Sequence, residues 1–392
     1  MRPGRSRLDL FVVYTGKPVR TLGLMPAETP NRARVSLRDV ARVVGVSHVT
    51  VSLALRGDPR VSVARRQEVE VAAKRLGYRP DPMLSSLSAY RHSKRPVTIH
   101  STIAWLNQWE DPKALRKLQE FAAYWRGAQD AAATLGYRLE EFVIDREMSG
   151  ARLQKILTTR NVRGIVLPPH ANGLHLPDFD WSLFSVVRLG VSVTEPRAHV
   201  ITSDQMNCAT LAFTKIRERG YRRIGYVTSR QFDRKTGGNF RAGYLAIQDA
   251  LLPVKEHLEP LILEETDAVL DERVLRPWLK AWKPDALIAT DPRVHAMLED
   301  FGLNVPRDLA AATLSVLDGN FDAGVDQNSY ETGGVAMRTL AGLIHQNERG
   351  IPQYCRRILV EGRWVDGASL PPAKPAAAAK AAAKAPRRAA RK

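Results

Sequence analysis

The segment Ser47-His48-Val49-Thr50-Val51-Ser52-Leu53, with Arg56 just after it, gathers the groups best suited to chemistry with a polyanion. Hydroxyls such as those of Ser47, Thr50 and Ser52, and a guanidinium such as that of Arg56, are the usual partners of phosphate oxygens. Capping a helix is the other use of such hydroxyls. His48, Val49 and Leu53 share the outer face at the head of the same helix, where a DNA-binding helix meets base edges. Val49 and Leu53 carry no hydrogen-bonding group, so they would read thymine methyls or groove shape. Motifs for catalysis are missing from the sequence. It holds no GxSxG, HExxH or CxxC, and its 9 His are scattered, so neither an enzyme nor a metal or cofactor site is expected. Thr236-Gly237-Gly238-Asn239 lacks the Gly-Lys-Ser/Thr ending of a phosphate loop and reads as a flexible loop.

The recognition residues need short helices to hold them, and the flanking sequence provides these. Ser36 with Asp39 makes a capping-box-like start, and Leu37, Val40, Ala41 and Val44 then recur on one helical face. Gly45 ends that helix, Val46 plugs the corner and Ser47 caps the next, from which Val51, Ala54 and Leu55 point to the core. Ser62 caps a third helix whose apolar positions are Val69, Ala72, Ala73 and Leu76.

The matched string Leu37, Asp39, Val40, Ala41, Gly45, Val46, Ser47, Thr50, Val51, Ser52, Leu55, then Val61, Ser62, Gly77, Tyr78 and Pro80, resembles the lac repressor family of bacterial transcription regulators. The resemblance implies a hinge over Asp81–Tyr90 that is ordered when two copies meet on DNA. Leu87 is the residue aligned with the family's minor-groove wedge, the alternative being packing on the next domain. Leu84, counted with Leu87 among the DNA-contacting residues, stands where relatives carry a small residue. The hinge needs two-fold symmetry, so a homodimer on a palindromic operator is implied. Leu heptads of the kind that make some relatives tetrameric are missing from the C-terminal sequence.

From Val97 short β-rich runs alternate with amphipathic helices, the pattern of a parallel sheet wound by crossovers. Strands are expected at 99–106, 137–144, 162–167, 224–228 and 286–289, and helices at 121–135, 151–159, 209–219, 240–252 and 294–301. The tandem α/β sets, with Glu218-Arg219-Gly220-Tyr221-Arg222-Arg223-Ile224-Gly225-Tyr226, resemble the family's two-lobed, periplasmic-binding-protein-like sensor. That resemblance places a small effector, possibly of carbohydrate class, in the cleft between the lobes. Its candidate ligands here are Gln108, Trp109, Tyr124, Arg146, Asp204, Arg241, Asp291 and Asp318. For the acids the alternative is a cap or turn, and for Trp109 and Tyr124 it is packing. Asn239-Phe240-Arg241-Ala242-Gly243-Tyr244 departs from the family's R-x-A-G-aromatic start: Phe240 holds the Arg slot and Arg241 is displaced by one residue, about 100° around the helix.

Charge divides the chain. The 392 residues carry a net +18, yet residues 1–34 hold 7 basic and 2 acidic side chains, residues 35–95 hold 12 and 5, and residues 371–392 hold 7 and 0. Residues 96–370 are left with 33 basic and 34 acidic, so the excess belongs to the two ends, as in a nucleic-acid binder joined to a neutral sensor. Two Cys far apart, with no run of membrane-spanning length and no secretory leader, imply a reduced cytoplasmic, nucleoid-associated setting. The expected division is 1–34 as a disordered basic arm (or an extension ahead of a true start at Met25), 35–80 as an all-α helix-turn-helix domain, 81–96 as hinge and linker, 97–370 as the α/β two-lobed domain, and 371–392 as a disordered Lys/Ala/Pro tail similar to those of linker histones. The function expected is a ligand-responsive transcription regulator, with a ligand-independent nucleoid-associated DNA binder as the alternative.

Overall fold

The computed structural model describes residues 35–55, 58, 60–78, 101–145, 147–170, 174–264 and 268–373, with the side chains of 268–272 outside the description. Arg56, Leu84, Leu87 and Arg146 lie outside the described residues, as do the N-terminal arm, the hinge and the tail from 374 onward. The chain forms two compact units, residues 1–81 and 82–392.

The first unit holds three helices: α1 (Leu37–Val44), α2 (His48–Leu55) and α3 (Val63–Leu76). The amide and hydroxyl of Ser36 both donate to the Asp39 carboxylate, at 2.9 and 2.7 Å, which closes the start of α1. Gly45 ends α1 at φ +70°, a left-handed conformation that a side chain would strain, and so turns the chain sharply into α2. Val40, Ala41, Val51, Ala54, Val61, Val69, Ala72 and Ala73 form the buried core of this unit. Each of its valines, fully buried, contributes about 1.5–3 kcal/mol.

The second unit is built on two six-stranded sheets. Lobe 1 has β1 (Ser101–Asn107), α4 (Ala114–Lys117), α5 (Gln119–Thr134), β2 (Tyr137–Val143), α6 (Gly150–Thr159), β3 (Gly164–Leu167), β4 (Ser185–Leu189) and β5 (His199–Ser203). Lobe 2 has α7 (Gln205–Glu218), β6 (Ile224–Ser229), α8 (Arg230–Lys235), α9 (Asn239–Leu251), β7 (Leu261–Leu263), α10 (Ala268–Trp282), β8 (Ala286–Ala289), α11 (Arg293–Asp300), β9 (Ala310–Thr313) and β10 (Gly324–Asp326). The chain then returns to lobe 1 for α12 (Ser329–His345) and β11 (Arg357–Val360), and ends in lobe 2 with β12 (Arg363–Val365).

The strand orders are β11-β5-β4-β3-β1-β2 and β12-β10-β9-β8-β6-β7, parallel throughout except for the antiparallel β10–β12 pair. Helices cover both faces, so β3, β5 and β8 are buried at every position; β3 and β8 read as unbroken apolar runs, whereas β5 carries the buried polar residues His199, Thr202 and Ser203. Of the expected strands, 286–289 is observed with the same bounds, and the rest shift at their ends by one to two residues where both ends are described. The strands β4, β5, β7 and β9 to β12 were not anticipated. Val186-Val187-Arg188-Leu189 contains a charged residue, yet Arg188 is buried and its Nε donates to the Ala198 carbonyl at 3.1 Å. Thr236-Gly237-Gly238 is a tight turn between α8 and α9 rather than a flexible loop, with the Thr236 hydroxyl donating to the Phe232 carbonyl at 2.8 Å.

The chain passes between the lobes three times, at Asp204, at Gln327-Asn328 and at Glu361-Gly362. Hydrogen bonds lace these crossings together. The Ser203 hydroxyl donates to Gln327 Oε1 at 2.7 Å, Gln327 Nε2 to the Leu314 carbonyl at 2.8 Å, and Asn328 Nδ2 to the Glu361 carbonyl at 2.7 Å. The Asp204 amide donates to the Val360 carbonyl at 2.7 Å.

In lobe 1, α5 and α12 pack closely because each presents a glycine. A Cβ on Gly127 would lie 1.8 Å from the Tyr330 carbonyl oxygen, and one on Gly333 would lie 2.1 Å from that of Tyr124. Backbone cannot yield as a side-chain tip can, so Gly127→Ala and Gly333→Ala should each cost about 1–3 kcal/mol. Gly342→Ala, on α12 with nothing within 4 Å of the added Cβ, should instead stabilise by about 0.5–1 kcal/mol. Denaturant midpoints of the three full-length variants check both signs.

Candidate nucleic-acid interface and inter-lobe cleft

The first unit presents the head of α2. The Ser47 hydroxyl accepts from the Thr50 amide at 3.0 Å and lies 2.8 Å from the Thr50 hydroxyl, so it caps α2 as well as lying at its exposed end. His48 and Val49 are exposed, Val49 at 53%, and Thr50 and Ser52 are partly so. Leu53 is half-buried and packs against the three-helix core rather than standing fully open on the outer face. Among the described residues of α2, His48 and Val49 are the exposed ones.

In the second unit the order of strands reverses between β1 and β3 in lobe 1 and between β6 and β8 in lobe 2. Ligands of open parallel sheets bind at the carboxyl ends of strands beside such points. At the lobe 1 point, Gln108 exchanges hydrogen bonds with the backbone of His175 (Nε2 to the carbonyl, 2.8 Å; amide to Oε1, 2.7 Å). Trp109 Nε1 donates to the Pro169 carbonyl at 2.9 Å. The amide of Gln108 donates to His170 Nε2 at 3.0 Å. Burial holds the His170 imidazole down at about 4, so it is neutral near pH 7, its Nδ1 carries the proton, and that proton is directed to the Pro168 carbonyl at 2.8 Å. At the lobe 2 point, the Thr290 hydroxyl donates to that of Thr228 at 2.7 Å.

The expected effector residues fall into two groups. Trp109, Phe121 and Tyr124 form an aromatic chain, with ring centroids 6.2 Å apart at the first step and 6.0 Å at the second. Trp109 and Phe121 are half-buried, whereas Tyr124 belongs to the lobe 1 core. Asp318 comes to the same place from lobe 2, its carboxylate accepting from the amides of Gln119 and Glu120 at 2.7 and 3.0 Å. The other acids are held inside lobe 2 or at its edge. Asp204 caps α7 through the Asn207 amide at 3.1 Å, and Asp291 is 5% exposed and held by Arg293 at 2.7 Å. Arg241 pairs with Asp233 at 3.1 Å. Phe240, in the slot where relatives carry arginine, is buried and stacked on Phe232 at 5.7 Å.

Sequence reasoning missed four residues of the inter-lobe group: Glu120, Phe121, Ser315 and Ser329. The Ser315 hydroxyl donates to Glu120 Oε1 at 2.5 Å, and the Ser329 hydroxyl donates to Oε2. A signal for Glu120 did exist, since it lies four residues before Tyr124 and so shares that residue's inward face.

Residues 36–81 match the family described as "Bacterial regulatory proteins, lacI family". Catabolite control protein A of Priestia megaterium is 26% identical over 344 residues, which cover 83% of this chain and 97% of the relative. HTH-type transcriptional regulator GntR of Escherichia coli (strain K12) is 28% identical over 289 residues, covering 72% and 82%. Among solved structures, the transcriptional regulator CelR–cellobiose complex shares the fold at a TM-score of 0.50 and 22% identity, over 86% of this chain and all of that one. Residues 36–81 thus carry a DNA-binding domain of the lacI family of bacterial regulatory proteins, and the chain is similar to such regulators through both lobes.

Proposed function

We propose that the chain is a transcription regulator that grips a palindromic operator as a homodimer and adjusts its grip when a small polyhydroxylic ligand changes how the two lobes meet. The observation that carries this reading is the joining of two devices in one chain. One is a capped recognition helix with His48 and Val49 exposed at its tip; the other is a pair of parallel sheets whose reversal points both lie at the boundary between lobes. The half-buried faces of Trp109 and Phe121 suit the apolar face of a sugar ring, and hydroxyl and carboxylate groups stand nearby. The regulator that shares this fold was solved with cellobiose, which supports the same ligand class. Catalysis has no part in the reading; the relatives are regulators, and the chain acts by binding. Binding to DNA in the cytoplasm, with the basic tail adding phosphate contacts, completes the proposal.

Selection of random duplexes by the full-length protein tests it, and a palindromic consensus is expected. Broad, sequence-independent retention would replace it with a nucleoid-type binder. A thermal-shift screen with neutral mono- and disaccharides tests the ligand: at a hundred times Kd the native state gains about 2.7 kcal/mol, a visible rise in Tm.

On the DNA side, Ser47→Ala should lower the local stability of α2 by about 1 kcal/mol through loss of the cap, read by hydrogen exchange in the full chain. Val49→Ala should leave stability within about 0.5 kcal/mol but change the selected consensus. Deleting residues 374–392 should flatten the salt dependence of nonspecific DNA binding, by about 0.9 in log–log slope for each phosphate that the tail had neutralised.

A further inference from the structure

The first turn of α5 belongs to lobe 1, but lobe 2 completes it. A helix leaves its first four amides without internal partners. The residue ahead of α5, Leu118, has no group to cap them. Asp318, in the segment after β9, reaches across and accepts from the amides of Gln119 and Glu120. Beside it, Glu120 is buried with one carboxyl oxygen on Ser315 of lobe 2 and the other on Ser329, where α12 leaves the crossing. The titratable groups facing Glu120 are Asp318 and Asp326 from lobe 2, Tyr124 one turn along α5, and the Cys208 thiol on α7. Each is an acid. Asp326 is itself paired outward, to Arg363 at 2.8 Å.

A carboxylate in this position would lose water and face two others. The two hydroxyls recover only part of the cost. A protonated carboxyl keeps both hydroxyl contacts, donating in one and accepting in the other, and removes the repulsion.

We infer that the boundary between the lobes is a proton-dependent latch. Seating Asp318 on the head of α5 buries Glu120 beneath Ser315, and the seated arrangement is favoured when Glu120 carries a proton. The latch is a property of the chain's own groups and needs no ligand. Its consequence for DNA, that lobe arrangement and operator grip respond to pH as well as to effector, rests on the regulator reading above.

The direction follows from linkage. Burial pushes the Glu120 carboxyl up to about 7 in the closed arrangement, against the pull of Ser315 and Ser329. Swung open into water it returns to the ordinary range, about 4.3. Closing therefore takes up a proton between those limits. Closure is strongest at low pH, weakens by up to about tenfold per pH unit as pH rises through the interval, and levels off above pH 7. From pH 6 to pH 8 the expected loss is about tenfold.

Hydrogen exchange at the amides of Gln119 and Glu120 in the full-length, DNA-free protein reads the latch directly, because Asp318 is the partner that protects them. With rates divided by the intrinsic rate at each pH, protection in the wild type should fall about tenfold from pH 6 to pH 8. Glu120→Gln, neutral at every pH, should hold the same protection at both. Asp318→Ala should strip protection from these two amides at both pH values while the interior of α5 stays protected, which shows that the chain is folded and the readout local. Wild-type protection that does not change with pH, or a Glu120→Gln variant that keeps the wild-type pH dependence, would overturn the latch. Neither result touches the regulator reading, which stands or falls on operator selection and ligand binding.

Discussion

Two parallel sheets that share one chain through three crossings can meet only along the ends of their strands, and that constraint governs the second unit. Because the crossings leave β5, β10 and β11 at their carboxyl ends, the carboxyl ends of both sheets are turned to the same boundary. The buried amide of Gln327 ties the crossings by accepting from Ser203 and donating to the Leu314 carbonyl. Leaving such an amide unpaired would cost about 1–3 kcal/mol, so the crossings form a shared joint rather than three independent linkers. The reversal points, the aromatic chain from Trp109 to Tyr124 and the carboxylates of Glu120 and Asp318 all inherit their positions from that joint.

Electrostatics is arranged on the same plan. The excess positive charge sits at the two ends of the sequence, whereas the boundary between lobes gathers acids: Glu120, Asp318 and Asp326. Within lobe 2 most cleft-side charges are spent on neighbours a few residues away, Arg293 on Asp291 and Arg241 on Asp233. The groups left to answer to another lobe are those whose partners lie there. Of the acids at the boundary, Glu120 is the buried one, where a charge counts for more.

What the sequence disclosed depended on how local the cause was. Ser36, Gly45, Ser47 and Ser62 do their work within a few residues, so all three helices of the first unit were readable from caps, a turn and periodicity. In the second unit, helices with one apolar face and strands flanked by breakers could be placed, but β4 and β5, like β7 and β9 to β12, could not. A strand buried on both faces has no alternation to betray it, and Arg188 in β4 resembles an exposed residue until Ala198 and Val193 supply carbonyls for it. The candidate cleft was legible in the same measure. Trp109 and Asp318 were placed by their positions after strands. Glu120 was missed because its partners Ser315 and Ser329 stand 195 and 209 residues away. The shift of Arg241 out of the usual arginine slot was visible in the sequence, but its physical sense was not. Phe240 fills that slot by stacking on Phe232 inside the lobe 2 core, and the displaced guanidinium is taken up by Asp233.

The last strand, β12, ends at Val365, yet the fold continues beyond it. Leu370 is 1% exposed in the lobe 2 core, the Ser369 carbonyl accepts from the Ala311 amide at 2.9 Å, the Tyr221 hydroxyl donates to the Pro371 carbonyl at 2.9 Å, and the Ala373 amide donates to the Arg219 carbonyl at 2.7 Å. One residue later begins a stretch with 7 basic side chains and no acid. Up to Ala373 a substitution is judged by volume and hydrogen bonding; the sequence that follows it is composed only of Lys, Arg, Ala and Pro.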